Sequence, residues 1–324
     1  MDWLIETFPL LRDAAASVSD NPWVILAILL PAIALIFILQ IVLGRFADDL
    51  YGFLRSRTLR LLGMERRPPE ATPPAPGEPA ADTDVIRTAR ASYQIAGPLA
   101  QGNLGMVYAG TDDRDNPVAV KVAAHTEDND FFQTEARVLR LLHSHGERYS
   151  KHLPEFIEEF HTPDGRQGTV LGRLDGYDLY AVREKYPEGI PERHVIWLFR
   201  RVLSVIGFAH SKGILHGNFE PAHIMLRPGD HNVWLLDWSY AVYDPARTGQ
   251  KFRVFNETYS APEVAEKKPP LPSADLFSVG RCMIYVLGGD PLSGSMPPAV
   301  DERIQRFIRQ FTIQSPMFRP QYAL

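Results

Sequence analysis

The sequence predicts an α+β fold preceded by a membrane anchor, and three observations lead to this prediction. An uncharged apolar run covers Trp23–Leu43, strand-like runs follow one another between Tyr93 and Ala123, and a helix-like segment covers Phe131–Leu142. Hydrophobic residues make up 45% of the 324 residues and charged residues 23%, values that are typical of a globular protein. The net charge of −5 offers no basic field for nucleic acid, and the single cysteine, Cys282, excludes an internal disulfide framework.

The apolar run Trp23–Leu43 predicts a transmembrane helix. Gln40 is its only strongly polar side chain, and as a helix the run would extend about 31 Å, roughly the thickness of the hydrocarbon layer. A buried core helix would need a polar face, and a cleavable signal peptide would need a basic start, whereas the charged residues within 1–22 are mainly acidic. Because arginines are concentrated after the run, residues 1–22 are expected to be extracytoplasmic and the C-terminal part to be cytoplasmic.

Two segments of contrasting composition separate this span from the globular part. The basic juxtamembrane segment 44–67 interleaves arginines with apolar residues near helical spacing, which fits either a helix on the anionic leaflet or a solvated or dimer-packed continuation of the span. Residues 68–91 form a Pro-rich linker, which is typical of an extended, semi-rigid spacer. The globular domain is therefore expected at residues 92–324.

The first strands of this domain carry a glycine-bearing turn and a lysine within an apolar run. Leu99–Gly110 has the sequence L-A-Q-G-N-L-G-M-V-Y-A-G, and Pro117–Ala123 has the sequence P-V-A-V-K-V-A. Glycine lets the backbone approach a phosphate closely, although glycine turns are also common in hairpins. A lysine in an apolar run needs a charged partner, and Glu135, in the helix-like segment that follows, is the natural partner of Lys121.

At this point the chain resembles the eukaryotic-type protein kinase family over about residues 93–320. The glycine loop of that family, G-x-G-x-x-G-x-V, is represented by Gly102, Gly105 and Val107, with Ala100 in place of the first glycine. The resemblance implies a bilobal fold and the use of ATP with Mg²⁺ or Mn²⁺.

The resemblance also implies a nucleotide site. Lys121 corresponds to the strand lysine that contacts the nucleotide phosphates, and Glu135 to the helix glutamate that pairs with it. Ala119 corresponds to the alanine of the adenine pocket. In the segment that resembles the hinge between the lobes, Leu171 is the candidate gatekeeper and Asp178 is expected near the ribose.

The catalytic loop departs from the family pattern H-R-D-x-K-P-x-N. Ile214–Leu226 has the sequence I-L-H-G-N-F-E-P-A-H-I-M-L, in which His216 matches and is expected to brace the loop. Asn218 replaces the catalytic aspartate, Glu220 the lysine that steadies the transferring phosphate, and His223 the metal-binding asparagine. An amide is no useful base, a carboxylate repels developing phosphate charge, and an imidazole is poorly suited to Mg²⁺. We therefore assign no catalytic residue in this loop. A metal or hydrolytic site of a new type remains an alternative.

The metal loop keeps its aspartate. Asp237 in W-L-L-D-W-S matches the Mg²⁺-holding aspartate of D-F-G, with His223 as a second metal candidate, and a turn former is the alternative for Asp237. Trp238 can replace the phenylalanine as a hydrophobic plug, and Ser239 stands in place of the glycine. Further along, Phe255-Asn256 stands in place of the glycine-threonine of the family.

Three matches concern structure. Asp275 corresponds to the aspartate that holds the catalytic-loop backbone, and Arg319 to the arginine that pairs with Glu263. The implied small lobe covers about 93–171 and the larger helical lobe about 175–324. Outside the resemblance, Glu158 and Glu159 are interpreted as a solvated strand edge.

These observations lead to three hypotheses on function. The first is a membrane-anchored pseudokinase that binds a nucleotide or a protein partner and signals or scaffolds by conformation. The second is an atypical or weakly active ATP-dependent protein serine/threonine kinase, in which Asn218 only orients the substrate hydroxyl. The third is a membrane-tethered interaction module without a nucleotide. The expected partners are the lipid bilayer, a nucleotide and an unidentified protein, and no nucleic acid.

Overall fold

The computed structural model describes residues 85–145 and 147–323. The predicted span Trp23–Leu43, the segments 1–22 and 44–67 and most of the linker lie outside these residues. Within the described ranges, no helix combines the length and apolar character needed to cross a membrane. The α+β fold, with a small strand-rich lobe and a larger helical lobe, is confirmed.

The small lobe is built on one antiparallel sheet of six strands. In space their order is β1-β2-β3-β4-β6-β5. The strands are β1 Val85–Arg87, β2 Ser92–Gln101, β3 Gly105–Thr111, β4 Pro117–Ala123, β5 Phe156–His161 and β6 Gln167–Gly172. Because β1 pairs with β2, the folded part begins before the residue 92 expected from the sequence and includes the end of the predicted linker.

The alternation of β4 gives the sheet two different faces. Val118, Val120 and Val122 are buried and pack with Tyr93 of β2 and Phe160 of β5 in one hydrophobic cluster. Because successive side chains of a strand point to opposite faces, the lysine of β4 lies on the other face, together with the alanine two residues before it. The predicted strand at Pro117–Ala123 is confirmed.

Helix α1, Asn129–His145, packs beside the sheet and includes the predicted segment Phe131–Leu142. Its buried positions Phe132, Glu135, Leu139 and Leu142 recur at spacings of three and four residues, as expected for one face of a helix. Glu135 is the acidic residue on this buried face, and it therefore needs a partner inside the protein.

The large lobe contains most of the helices and several short strands. The short helix α2, Glu147–Ser150, precedes β5. The helices of the large lobe are α3 Leu179–Lys185, α4 Glu192–Ser211, α5 Pro245–Thr248, α6 Pro262–Ala265, α7 Pro272–Val286 and α8 Glu302–Phe311. Its strands are β7 Tyr177–Asp178, β8 Ile214–Leu215, β9 Ile224–Arg227, β10 Asn232–Leu235 and β11 Val242–Tyr243. Short 3-10 turns cover Thr126–Asp128, Pro221–His223, Trp238–Tyr240 and Pro316–Phe318. Helices α4 and α7 supply many of the buried apolar residues of the main core.

The prediction of a solvated edge at Glu158 is wrong. Glu158 does lie on β5 at the edge of the sheet, but it is only 4% exposed. Its carboxylate accepts hydrogen bonds from the Tyr93 hydroxyl at 2.6 Å and from the Thr88 hydroxyl at 2.8 Å. Its neighbour Glu159 instead forms a partly exposed ion pair with Arg140.

Candidate active site

Lys121 is the centre of a polar cluster between the two lobes. Its Nζ lies 2.9 Å from Glu135 Oε2 on α1 and 2.7 Å from Asp237 Oδ1, which follows β10. A third bond, at 2.8 Å, joins Nζ to the hydroxyl of Ser239. The predicted ion pair between Lys121 and Glu135 is present, and the ammonium has an oxygen acceptor for each of its three protons.

Opposite charges keep Lys121 and Asp237 ionised although both side chains are mostly buried. Burial alone would lower the pKa of Lys121, but the carboxylates of Asp237 and Glu135 raise it above its ordinary value. Burial would raise the pKa of Asp237, but the nearby Lys121 ammonium and His223 imidazole hold it well below its usual range. The charged forms of Lys121 and Asp237 therefore stabilise each other.

Four residues that the resemblance assigns to the nucleotide share one face of the sheet. Val107 of β3 is the cross-strand partner of Lys121, and Leu171 of β6 is the partner of Ala119. Directly paired residues of antiparallel strands lie on the same face. The structure therefore brings Val107, Ala119 and Leu171 onto the face that carries the Lys121 ammonium.

The two glycines of the loop have different surroundings. A Cβ on Gly105 would lie 2.0 Å from the backbone oxygen of Val122, whereas a Cβ on Gly102 would have its nearest neighbour at 3.8 Å. Between them, Leu104 is buried in a small cluster with Phe132 of α1 and Tyr240. Gly105 thus permits close packing of β3 on β4, and the tip of the turn is held down by Leu104.

The catalytic-loop backbone is held by Asp275 of α7, as predicted. Its Oδ2 accepts a hydrogen bond from the backbone N–H of His216 at 2.8 Å, and its Oδ1 accepts one from Gly217 at 2.9 Å. His210 Nε2 lies 2.8 Å from Oδ2. Burial would raise the pKa of Asp275, but these bonds and the nearby imidazoles lower it below its ordinary value.

Two of the three departures in the catalytic loop contact Asp237, and the third contacts His223. Asn218 Nδ2 is 3.4 Å from Asp237 Oδ2, and His223 Nε2 is also 3.4 Å from that oxygen. His223 Nδ1 lies 2.7 Å from the carbonyl oxygen of Asn218. Glu220 Oε1 is 3.6 Å from His223 Nε2, while its Oε2 accepts a hydrogen bond from Asn256 at 2.7 Å.

Trp238 is packed in the main hydrophobic core directly after Asp237, as the plug interpretation expected. It is fully buried, and its indole N–H donates to the Leu235 carbonyl at 3.0 Å. Its backbone N–H lies 3.2 Å from Glu135 Oε1, so the same glutamate contacts both Lys121 and the segment after Asp237. This bond ties α1 to the loop that carries the aspartate.

The comparison with known families agrees with this arrangement of lysine, glutamate, aspartate and braced loop. The family model described as "Protein kinase domain" matches residues 93–320, which is most of the chain. The chain belongs to the protein kinase family. The kinase domain accordingly includes the glycine turn, the Lys121 cluster, the catalytic loop and the buried residues near the C-terminal end.

The curated relatives are serine/threonine-protein kinases at low identity. PknD of Mycobacterium tuberculosis is 27% identical over 220 residues, which cover 67% of this chain and 32% of that protein. The human serine/threonine-protein kinase D3 is 28% identical over 233 residues, which cover 69% of this chain and 25% of that protein. PknF of Mycobacterium tuberculosis is 25% identical over 240 residues, covering 66% of this chain and 49% of that protein. The aligned part spans between a quarter and a half of these relatives.

Protein kinases in general use ATP with a divalent metal ion. The residues of this kinase domain fit the nucleotide better than they fit the metal ion. The apolar face at Ala119 and Leu171 next to a buried cation fits a base and its phosphates. The donor set for a metal does not fit, because both oxygens of Asp237 already contact cationic or hydrogen-bonding groups and His223 supplies a nitrogen. Within the described ranges, no three His, Cys, Asp or Glu side chains are arranged to hold a metal ion.

Asp178 has a structural role that the sequence did not indicate. Its Oδ1 accepts a hydrogen bond from the Ala181 N–H at 2.7 Å and so caps helix α3. Its expected place near the ribose stays a prediction.

Two further sets of contacts were not predictable from the sequence: those of Ser239 with Lys121 and Asp237, and that between Asn256 and Glu220. The only available signal was that Ser239, Asn256 and Glu220 depart from the family pattern.

Proposed function

We propose that the kinase domain is a pseudokinase, which binds a nucleotide and signals or scaffolds by conformation instead of phosphoryl transfer. The observation that carries this proposal is Asn218 in the position of the catalytic base. Its side-chain amide points its Nδ2 toward Asp237, at 3.4 Å. An amide accepts no proton near neutral pH, so the substrate hydroxyl would lack a base.

The contact between Glu220 and Asn256 supports the proposal independently. Both residues depart from the family pattern, and they bind each other at 2.7 Å. The carboxylate stands where a cation would offset the charge of the transferring phosphate, and its repulsion would disfavour that transfer. Two departures that satisfy each other indicate a site adapted to its new residues.

The Lys121 cluster supports the nucleotide half of the proposal. The Lys121 ammonium contacts Glu135 of the small lobe and Asp237 of the large lobe, so a cation that could attract a phosphate lies between the two lobes. Since all three ammonium protons are engaged, a phosphate oxygen must replace one acceptor. The neutral hydroxyl of Ser239 is the weakest acceptor of the three, because the other two are carboxylates whose negative charge also attracts the ammonium.

A thermal-shift titration of the full chain in detergent tests nucleotide binding. ATP should raise the melting temperature, with and without Mg²⁺ or Mn²⁺. Lys121→Met should abolish the shift, whereas Ser239→Ala, which removes the competing acceptor, should keep or increase it. If wild-type protein gives no shift, the interaction module without a nucleotide replaces the present proposal.

A radiolabel transfer assay separates the pseudokinase from the second candidate, a weakly active serine/threonine kinase. The second candidate is favoured by the serine/threonine kinases among the relatives and by the position of Asn218, from which its amide could orient a hydroxyl. Wild-type protein should transfer no more label to a generic substrate than Asp237→Ala does. Substrate labelling that Asp237→Ala abolishes would establish the weakly active kinase.

The proposal also places the protein in a membrane, with Trp23–Leu43 as a single span and the kinase domain in the cytoplasm. The bilayer, a nucleotide and an unidentified protein are the proposed partners. The protein should stay with membranes after an alkaline wash. Protease added to intact cells should leave the kinase domain uncut, and cleavage from the outer face would reverse the orientation.

A further inference from the structure

A cavity of about 360 Å³ lies in the large lobe and contains none of the residues of the candidate active site. Three elements form it: the loop after α2, the helix α4 and the hairpin of β9 and β10. Its volume is at the lower end of small-molecule sites, which measure about 300–1,000 Å³. We call it the basic cavity, because three cationic side chains line it: Lys151, Arg201 and Arg227.

The charges of the basic cavity are unbalanced. Arg227 donates to Asp230 at 2.9 Å, and this carboxylate is the acidic group of the lining. Among residues 85–145 and 147–323, no carboxylate forms an ion pair with Lys151 or Arg201. The lining therefore keeps two positive charges without a counter-charge from the described protein.

The two cations act on the same buried neighbour. His152 is 3% exposed, and its Nδ1 lies 2.9 Å from the Val233 carbonyl. Burial lowers the pKa of His152, and the charges of Arg201 and Lys151 lower it further. Lys151, Arg201 and this imidazole line the same cavity, so an anion in the cavity would be attracted by both cations.

The remaining lining is held in place by aromatic contacts. The Arg227 guanidinium lies over the Trp234 ring at 4.9 Å, and the His231 ring meets Trp197 of α4 edge-on at 5.6 Å. Asn232 donates to the Lys151 carbonyl at 2.8 Å, which joins the hairpin to the loop that carries the lysine. The Arg227 guanidinium and the backbone that carries Lys151 therefore belong to a connected frame, which a ligand need not order on binding.

We propose that the basic cavity binds a phosphate-bearing ligand through Lys151 and Arg201. A guanidinium fork matches two phosphate oxygens, and an ammonium beside it supplies a second cation. A phosphomonoester or pyrophosphate group therefore suits this pair better than a single carboxylate. Such a group could belong to a soluble polyphosphate or to a phosphorylated lipid headgroup. The proposal does not depend on whether the kinase domain binds a nucleotide or transfers phosphate.

Calorimetric titration of the full chain in phosphatidylcholine nanodiscs tests the proposal, with inorganic pyrophosphate and inositol trisphosphate as probes. Arg201→Gln and Lys151→Gln should each weaken binding by about tenfold or more, since one charged hydrogen-bonding partner is lost. Arg200→Gln is the matched control, because it removes an exposed cation from the next position of the same helix and should leave the affinity unchanged. The melting temperature of each variant shows that it is folded.

Two further measurements distinguish the basic cavity from the nucleotide cleft, and a soluble ligand from a lipid headgroup. Lys121→Met removes phosphate binding at the nucleotide cleft, so the binding of either probe that remains in this variant reports the basic cavity. Loss of binding in Lys121→Met, equal affinity in Arg201→Gln and Arg200→Gln, or no binding by wild-type protein would each overturn the proposal. Nanodiscs that also contain phosphatidylinositol bisphosphate identify the source: a headgroup ligand should compete with the soluble probes, whereas a soluble ligand leaves their apparent affinity unchanged.

Discussion

His216 braces the catalytic loop as a neutral imidazole. It is fully buried and stacks on Phe219, with ring centroids 4.1 Å apart. Its Nε2 lies 2.8 Å from the Leu236 carbonyl, while its Nδ1 accepts a bond from the Asn218 N–H at 3.3 Å. A second proton, on Nδ1, would face that N–H donor. The loop therefore depends on a histidine that carries one proton.

This arrangement predicts that stability falls in mild acid. Burial lowers the pKa of His216 to about 4, so between its ordinary value of 6.5 and 4 the unfolded chain binds a proton that the folded protein does not. The stabilisation is complete above pH ~6.5 and is lost as the pH falls toward ~4. Urea unfolding at pH 7 and pH 5 should show a loss of about 2 kcal/mol in wild-type protein that is missing in His216→Gln.

The control for this measurement is the exposed His194, because His194→Gln should keep the wild-type loss. An equal loss in wild-type protein and in His216→Gln would mean that other groups control the acid response.

The hairpin of β2 and β3 illustrates how one motif combines two roles. Gly105 lies against the backbone of β4, whereas an added Cβ on Gly102, at the turn, would meet only the Gly105 carbonyl oxygen, at 3.8 Å. The motif that resembles a phosphate loop therefore contains one glycine that the fold itself requires and one that it does not. The atom that a Cβ on Gly105 would meet at 2.0 Å is the backbone oxygen of Val122, which cannot move aside as a flexible side chain would.

Substituting the two glycines should separate these roles. Gly105→Ala should lower the free energy of unfolding by about 1–3 kcal/mol, the usual effect of overpacking. Gly102→Ala should leave the melting temperature within error of wild-type protein, because its Cβ would meet no atom closer than 3.8 Å. Equal melting temperatures for both variants would contradict the close packing at Gly105.

At the scale of elements, the sequence predicted what depends on local periodicity. The alternation at Pro117–Ala123 and the helical spacing at Phe131–Leu142 led to β4 and α1, and Glu135 on the buried face of α1 led to its pairing with Lys121. The burial of Glu158 could not be predicted in this way, because its two hydroxyl donors come from residues far away in the chain.

In the candidate site, too, contacts between residues that are far apart in the chain could not be predicted from the sequence. The contact between Lys121 and Glu135 follows from two recognisable residues, but the contact with Ser239 requires the lobes to be in place. Leu104 was one residue of a motif, and its burial against Phe132 and Tyr240 depends on tertiary packing. Motif residues were thus predictable, whereas the neighbours that complete their contacts were not.

The large lobe is held together by a buried ion pair near the C-terminal end. Arg319 and Glu263 are 3% and 2% exposed, and they form two parallel bonds, at 2.7 Å and 2.5 Å. Arg319 also donates to the carbonyl oxygens of Ser273, Ile313 and Gln314. One side chain therefore connects α6, the start of α7 and the segment after α8.

Removing this arginine should destabilise the whole domain. Arg319→Ala leaves the Glu263 carboxylate buried without its partner, which typically costs about 3–5 kcal/mol. Differential scanning calorimetry should therefore show a clearly lower melting temperature. Arg303→Ala, which breaks the exposed pair with Asp301, is the matched control and should change it little. A neutral effect of Arg319→Ala would contradict the structural role of the pair.

The whole domain divides two tasks between different residues. Lys121 and Glu135 of the small lobe, with Asp237 of the large lobe, form the cluster proposed to bind a nucleotide. Asn218 and Glu220 stand where a base and a cation would serve phosphoryl transfer. Asn218 and Glu220 can differ from the family residues while the Lys121 cluster stays intact. The fold is therefore compatible with nucleotide binding without phosphoryl transfer.

Restoring the family residues together should bring activity back in a cooperative way. Asn218→Asp supplies a base, Glu220→Lys a cation and His223→Asn an oxygen ligand for a metal ion. Residues that act as a unit are non-additive, so the triple variant should exceed the product of the three single effects in a radiolabel transfer assay. Adding Asp237→Ala to the triple variant should abolish this gain. If Asn218→Asp alone reaches the activity of the triple variant, the charge at Glu220 and the ligand at His223 are not what prevents transfer.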